Sequence, residues 1–216
     1  MYGREPKKFY TFAKKNMQSV FHTYLELGFT HIADLKGYDH ILFIVALCAI
    51  YRLQQWRKVA LLVTAFTVGH SLTLALAALN IIPINTAWVE FLIPLTIMAT
   101  ALYNVLIHRE EAQLATLSPK LEFNYLLALI FGLIHGMGFS NFFRSMLLPG
   151  EEGQLVTQLL AFNIGVELGQ LAIVGGVLSL AFVMLYWLNT KQREWNLFIS
   201  GAAFGLALVM ALERVP

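Results

Sequence analysis

The feature that most constrains this chain is the set of long stretches without a single Asp, Glu, Lys or Arg. They run Val59–Val89, Phe91–His108, Phe123–Phe143, Leu168–Thr190 and Trp195–Leu212. A charge at the centre of a bilayer costs several kcal/mol, and about 20 apolar residues in a helix cross the hydrocarbon core. Each stretch therefore reads as one membrane span, or in the first case as two. Asn80-Ile81-Ile82-Pro83-Ile84-Asn85 is a turn signal, dividing the first gap into a helix from about Val59 to Leu79 and leading into another from about Ala87 to Ile107. Further helices are expected over Phe123–Phe139, Leu155–Trp187 and Leu197–Leu212.

The apolar run Ile41–Tyr51 is too short to cross alone at about 1.5 Å per residue. It is expected to continue upstream through Gly37 as a broken helix. Residues Asn16–Asp34 mix His22, Glu26, His31 and Asp34 with apolar residues, which suits either an amphipathic surface helix or a seventh, poor span. The expected fold is thus an all-α polytopic bundle of six to seven transmembrane helices with short loops. Residues 1–36 form an N-terminal basic and amphipathic segment, and 37–216 the bundle. With 58% hydrophobic and 13% charged residues, against about 45–50% and 25% in soluble domains, a water-soluble globule is excluded.

Other classes fall on composition. The net charge of +2 comes without any basic stripe, so nucleic acid is not an expected partner. Cys48 is the one cysteine, which excludes a disulfide framework or a CxxC site. The basic loops carrying Arg52, Arg57 and Lys58, then Arg109 and Lys120, then Lys191 and Arg193 belong in the cytoplasm, and a bacterial inner membrane suits the chain. Arg144 and Arg214 lie on the opposite face. Arg4, Lys7, Lys8, Lys14 and Lys15 join the cytoplasmic side if Asn16–Asp34 crosses. The N-terminus lacks the apolar core of a cleavable signal peptide.

The polar groups inside these helices must be paired, hydrated or liganded. They are Asp39, His40, His70, Ser71, Thr73, Glu90, Asn104, His135, Asn163, Glu167 and Gln170. Counted from the outer helix ends, Asp39 and His40 lie at the surface. Glu90 lies about 5 Å in, His135 about 6 Å, Asn163 about 12 Å, His70 about 14 Å and Glu167 about 18 Å. Helices that alternate in direction thus place their ionisable groups in one half of the membrane. Asn163, Glu167 and Gln170, at i, i+4 and i+7, share a stripe, as do His70 and Thr73.

A single membrane His can serve as a hydrogen bond between helices, but three at one depth with carboxylates call for a common role. Ser71 and Thr73, supporting polar residues with Asn163 and Gln170, are expected to bond backbone carbonyls. Asn104 reads as a packing or capping residue, His22 and His31 as an interfacial surface, His108 as a loop residue, and Met137, Phe139 and Met146 as apolar filling. Gly132/Gly136, Gly165/Gly169 and Gly201/Gly205 have the spacing that lets helices approach closely.

Four motifs in order resemble the HupE/UreJ family of membrane proteins: Gly37-Tyr38-Asp39-His40-Ile41-Leu42-Phe43, Phe66-Thr67-Val68-Gly69-His70-Ser71-Leu72-Thr73-Leu74, Phe131-Gly132-Leu133-Ile134-His135-Gly136-Met137-Gly138-Phe139 and Phe162-Asn163-Ile164-Gly165-Val166-Glu167-Leu168-Gly169-Gln170. They span roughly Gly28–Gln170. The family is associated with hydrogenase and urease gene clusters. The resemblance implies a helical bundle that transports nickel or another divalent transition metal. Its better-studied nickel members carry a His a few residues before the Asp-His pair; His31 here stands at wider spacing. Gly136-Met137-Gly138 after His135 is similar to the second, less characterised branch.

Imidazole and carboxylate together suit nickel, cobalt or zinc. For a transporter, Asp39 and Glu90 would attract the ion at the outer mouth, His40, His70 and His135 would replace its water, and Glu167 would ease the charge inward or exchange a proton for it. Two rivals stand beside this reading. Three His ligands with an open position describe a catalytic zinc site, with Glu167 or Asp39 as general base of an intramembrane hydrolase, although no HExxH pair is present. The other is a non-catalytic membrane partner that delivers metal to a larger complex. A homo-oligomer and an assembly with partner subunits are both left open.

Overall fold

A computed structural model describes residues 20–79, 81, 85–107, 120–146 and 154–216, and every regular element in them is helical. The basic N-terminal residues, Asn80 and residues 82–84 of the expected turn, His108 and Arg109 lie outside the described residues. Helix α1 covers 20–32, α2 Asp39–Cys48, α3 Trp56–Ala78, α4 Thr86–Ile107, α5 Lys120–Met146, α6 Leu155–Phe182 and α7 Gln192–Glu213. Among the described residues four stretches are long and apolar enough to cross a membrane: Leu53–Ala77, Thr86–Leu106, Leu155–Trp187 and Gln192–Glu213. Asp39–Cys48 and Tyr125–Ser140 are shorter apolar helices.

The break anticipated around Gly37 is present, and its cause is local. Asp34 turns its carboxylate back to accept from the Lys36 backbone N–H at 2.9 Å, which replaces the next helical hydrogen bond with an Asx-type turn. The chain re-enters a helix at Asp39, whose acidic side chain suits the first turn. Helices α5 and α7 extend past the ends expected from charge gaps. A helix does not stop where its apolar span stops, and Arg193 and Glu194 simply lie in the first turn of α7. Helix α6 passes into a π-helical turn, Val183–Trp187, and ends at Asn189, whose φ of 51° is the left-handed conformation that asparagine tolerates.

Close packing centres on α3 against α5. A Cβ added at Gly132 would fall on the Phe66 carbonyl oxygen, one at Gly69 on that of Leu129, and one at Gly136 on Thr73 Oγ1 and the His70 carbonyl. Helices α1 and α6 interlock similarly, with Gly28 against the Phe162 carbonyl and Gly165 against that of Leu25. Helix α1 is therefore docked on the bundle. The expectation for Gly201 and Gly205 is corrected: among the described residues nothing lies within 4 Å of a Cβ at either, so this pair does not join two helices of the chain.

Helices α2, α4 and α7 are tied by amides. Asn104 Nδ2 donates to the Ala46 carbonyl at 2.7 Å, Asn196 Nδ2 donates to the Asn104 carbonyl at 2.9 Å, and Ser200 donates to Asn196 Oδ1 at 2.8 Å. This bears out Asn104 as a packing residue. The outer surface carries large apolar side chains on every long helix, among them Leu61, Leu72, Leu102, Leu160, Leu168, Phe198 and Leu212. Such a surface faces hydrocarbon rather than water.

Candidate metal centre

Four imidazoles from four helices meet in the bundle. His40 enters from the first turn of α2, His70 from α3, His135 from α5, and His31 from the last turn of α1. Ring centroids lie 4.7 Å apart for His31 and His40, 5.2 Å for His40 and His135, 6.0 Å for His40 and His70, and 6.1 Å for His31 and His70. His40, His70 and His135 are buried. The close approach of α3 and α5 at Gly69, Gly132 and Gly136 is what lets His70 and His135 share one small space.

Sequence reasoning placed His31 on an interfacial surface, and the structure puts it in the cluster. The Asp34 turn folds α1 back so that its last turn lies over α2. The available signal was the dense run His31, Asp34, Asp39, His40 on both sides of a single glycine.

Phenylalanines wall the cluster. The His31 and Phe139 centroids are 3.8 Å apart, Phe66 lies 5.1 Å from His135, Phe43 lies 5.5 Å from His135, and Phe162 stacks on Phe139 at 5.1 Å. In that apolar setting a polar atom without a partner costs about 1–3 kcal/mol. His31 Nε2, His40 Nε2, both nitrogens of His70 and His135 Nδ1 are nevertheless buried with no hydrogen-bond partner. This concentration of unmatched imidazole nitrogens is what a site for an electron-pair acceptor contains. Among the described residues, however, no three His, Cys, Asp or Glu side chains converge on one point as the ligands of an ion would.

Two of the remaining nitrogens are held from outside the cluster. His40 Nδ1 lies 3.0 Å from Asp39 Oδ1, and the other carboxylate oxygen, Oδ2, is 3.4 Å from Arg214 Nη1 at the end of α7. His135 Nε2 lies 3.1 Å from Thr96 Oγ1. A cavity of about 270 Å³ opens beside these residues, lined by His31, Asp34, Asp39, His40, Glu90, His135 and Arg214. The start of α2, the start of α4 and the end of α7 therefore meet at one mouth, as alternating helices require.

Glu90 is exposed at that mouth. Glu167 is placed between α3 and α6, where it accepts from Thr64 Oγ1 at 2.6 Å and from Thr67 Oγ1, and Gln170 Oε1 lies 2.7 Å from Thr67 Oγ1. Asn163 Oδ1 is buried without a partner. Ser71 donates to the Thr67 carbonyl at 2.6 Å and Thr73 to those of Gly69 and His70, the backbone bonds anticipated for them. Besides His31, four residues at the site escaped sequence reasoning: Thr96, which carries no charge; Arg214, counted only as a loop charge; Thr67, inside a motif noted for its His; and Thr64, just outside that motif.

Compared with known protein families, the chain matches the HupE / UreJ protein family over residues 7–213. It belongs to that family. No curated protein matches this HupE/UreJ member, and no solved structure does. Family membership and the four long apolar helices together make it an integral membrane protein.

Proposed function

We propose that this HupE/UreJ protein moves a divalent transition metal, nickel, cobalt or zinc, across the membrane as its cargo. The observation that carries the reading is the cluster of four imidazoles whose inner nitrogens are buried without a partner, beside a mouth lined by carboxylates. Neutral imidazole is a ligand of choice for these metals. With metal–nitrogen bonds of about 2.0 Å, two imidazoles on one tetrahedral ion have ring centres roughly 5 Å apart. The spacing of His40 from His31 and His135, 4.7 and 5.2 Å, is of that order, which supports the reading, and His70 stands slightly farther from His40, at 6.0 Å.

In this reading Glu90 and Asp39 draw the ion to the mouth. His40, His70 and His135, with His31, exchange for its water. The polar track Thr67, Glu167 and Gln170, which starts one turn along α3 from His70, leads it onward with its charge offset. Binding has to stay weak enough for release. The bundle then comprises six to seven spans: the four long apolar helices, α5, whose 27 residues extend about 40 Å, and α1 with α2 as a broken sixth span or a sixth and seventh.

A zinc hydrolase would need a carboxylate free to take a proton from bound water. Asp39 is engaged by His40 and Arg214, and Glu167 by two threonines, which favours transport.

The test is metal content by mass spectrometry of gently purified protein, together with metal accumulation by expressing cells, for wild type and His70→Ala. Substoichiometric, exchangeable nickel or cobalt that the variant lacks is expected, with accumulation falling to background. Normal accumulation by His70→Ala overturns the reading, and tightly held stoichiometric zinc transfers it to the hydrolase.

A further inference from the structure

We propose that Thr96 is a positioning residue that fixes the tautomer of His135, and that Asp39 does the same for His40, so that each ring presents an unprotonated nitrogen to the cargo metal. This rests on the reading of the imidazole cluster as a metal-handling site.

The argument is a count of protons. Thr96 is buried on α4, a helix that contributes no imidazole, and its hydroxyl lies 2.7 Å from the Ile93 carbonyl and 3.1 Å from His135 Nε2. A hydroxyl has one proton and two lone pairs, whereas a carbonyl can only accept. The proton goes to Ile93 at the shorter distance, which leaves oxygen lone pairs facing His135 Nε2. That nitrogen must then be the protonated one. A neutral imidazole has a single N–H, so Nδ1, the atom buried without a partner, carries a lone pair.

His40 reaches the same state by a different route. Its Nδ1 lies 3.0 Å from a carboxylate oxygen of Asp39, which can only accept, so Nε2, also buried and unpartnered, is bare. Two outer residues, on α4 and at the head of α2, thus impose the complementary tautomers, Nε2–H on His135 and Nδ1–H on His40. An outer partner that takes the far N–H of a metal-binding imidazole fixes ring and tautomer, and its loss costs about 10–100-fold in affinity. The loss arises because only the fraction of protein in the right tautomer can bind.

The experiment uses the full chain in nanodiscs with cobalt(II) as the probe. Thr96→Val removes the hydroxyl at nearly constant shape, and Thr96→Ser keeps it. Thr96→Val is expected to weaken cobalt binding 10–100-fold and to lower the melting temperature, because His135 Nε2 loses its partner, and Thr96→Ser to restore binding to within a few-fold of wild type. Nitrogen-15 imidazole spectra are recorded alongside: His135 is expected as the Nε2–H tautomer in wild type and as a mixture in Thr96→Val. Binding by Thr96→Val equal to wild type overturns the proposal, as does failure of Thr96→Ser to rescue. If wild type takes up no cobalt, the transport reading fails separately while the nitrogen spectra still decide the tautomer. If Thr96→Val does not fold, the wild-type spectrum decides, and an Nδ1–H His135 overturns the proposal.

Discussion

At the residue scale the site is governed by which charges already satisfy one another. Asp39 stands between His40 and the Arg214 guanidinium, so the mouth carries a cation of its own before any metal arrives. An entering ion takes Asp39 in competition with Arg214. Arg214→Gln removes that competitor and lowers the repulsion at the mouth. Cobalt(II) or nickel(II) affinity, measured by titration of the purified variant, should rise by a few-fold up to about tenfold, tenfold being about 1.4 kcal/mol. The gain is held to this range because water and salt screen a half-exposed charge. Affinity that falls or stays constant would mean that Arg214 plays no part in the approach of the ion. The Asn104, Asn196 and Ser200 group shows the opposite arrangement: each amide has found its partner, and the result is a brace between helices with nothing left over to bind.

The decisive feature among the elements is the seam between α3 and α5. Gly136 places the α5 backbone against the His70 carbonyl and Thr73, so the width of the seam sets the distance between His70 and His135. Gly136→Ala must push the helices apart, and overpacking of this kind costs about 1–3 kcal/mol. A lower melting temperature in detergent is expected, with loss of metal binding even in the fraction that stays folded. Gly201→Ala is the control, since nothing described lies near that position, and its melting temperature should match wild type. Equal stability of the two variants would show that the seam is not closely packed. The Asp34 turn is a second decision of this kind, because it separates α1 from α2 and leaves the His31 and His40 rings edge to face at 4.7 Å.

The molecule as a whole presents apolar side chains outward on its long helices and gathers polar groups inward, with one mouth at the meeting of α2, α4 and α7. Arg52, Arg57 and Lys58 lie at the opposite end of α2 from that mouth, and the expectation that such basic residues are cytoplasmic would put the mouth outside. Glu90 is exposed there, and Cys48 is buried. A Glu90→Cys variant in intact cells should react with a membrane-impermeant maleimide, and wild type should not. Labelling that needs permeabilised cells would reverse the orientation and make the mouth an exit.

The helices were legible in the sequence because the cost of a charge in hydrocarbon is a one-dimensional rule: the charge gaps, once cut at the turn signal after Leu79 and extended upstream past Glu167 to Leu155, mark α3, α4, α6 and α7 within a few residues. The same rule assigned His40, His70 and His135 to one half of the membrane, since depth along a helix is a count at fixed rise. Rotation about the helix axis and the pairing of helices are not counts. Glu167 matched the histidines in membrane half, yet its contacts are with Thr64 and Thr67 between α3 and α6. His31 was assigned to a surface because its partners come from other elements, and Thr96 was passed over because a threonine gains meaning only from the ring 3.1 Å away. Sequence by itself determined that the chain enters a membrane and carries imidazoles within its apolar helices, because burial energy depends on each residue's own chemistry. Only the tertiary structure decided which nitrogens face one another, because that depends on backbone approach at Gly69, Gly132 and Gly136 and on a turn closed by Asp34.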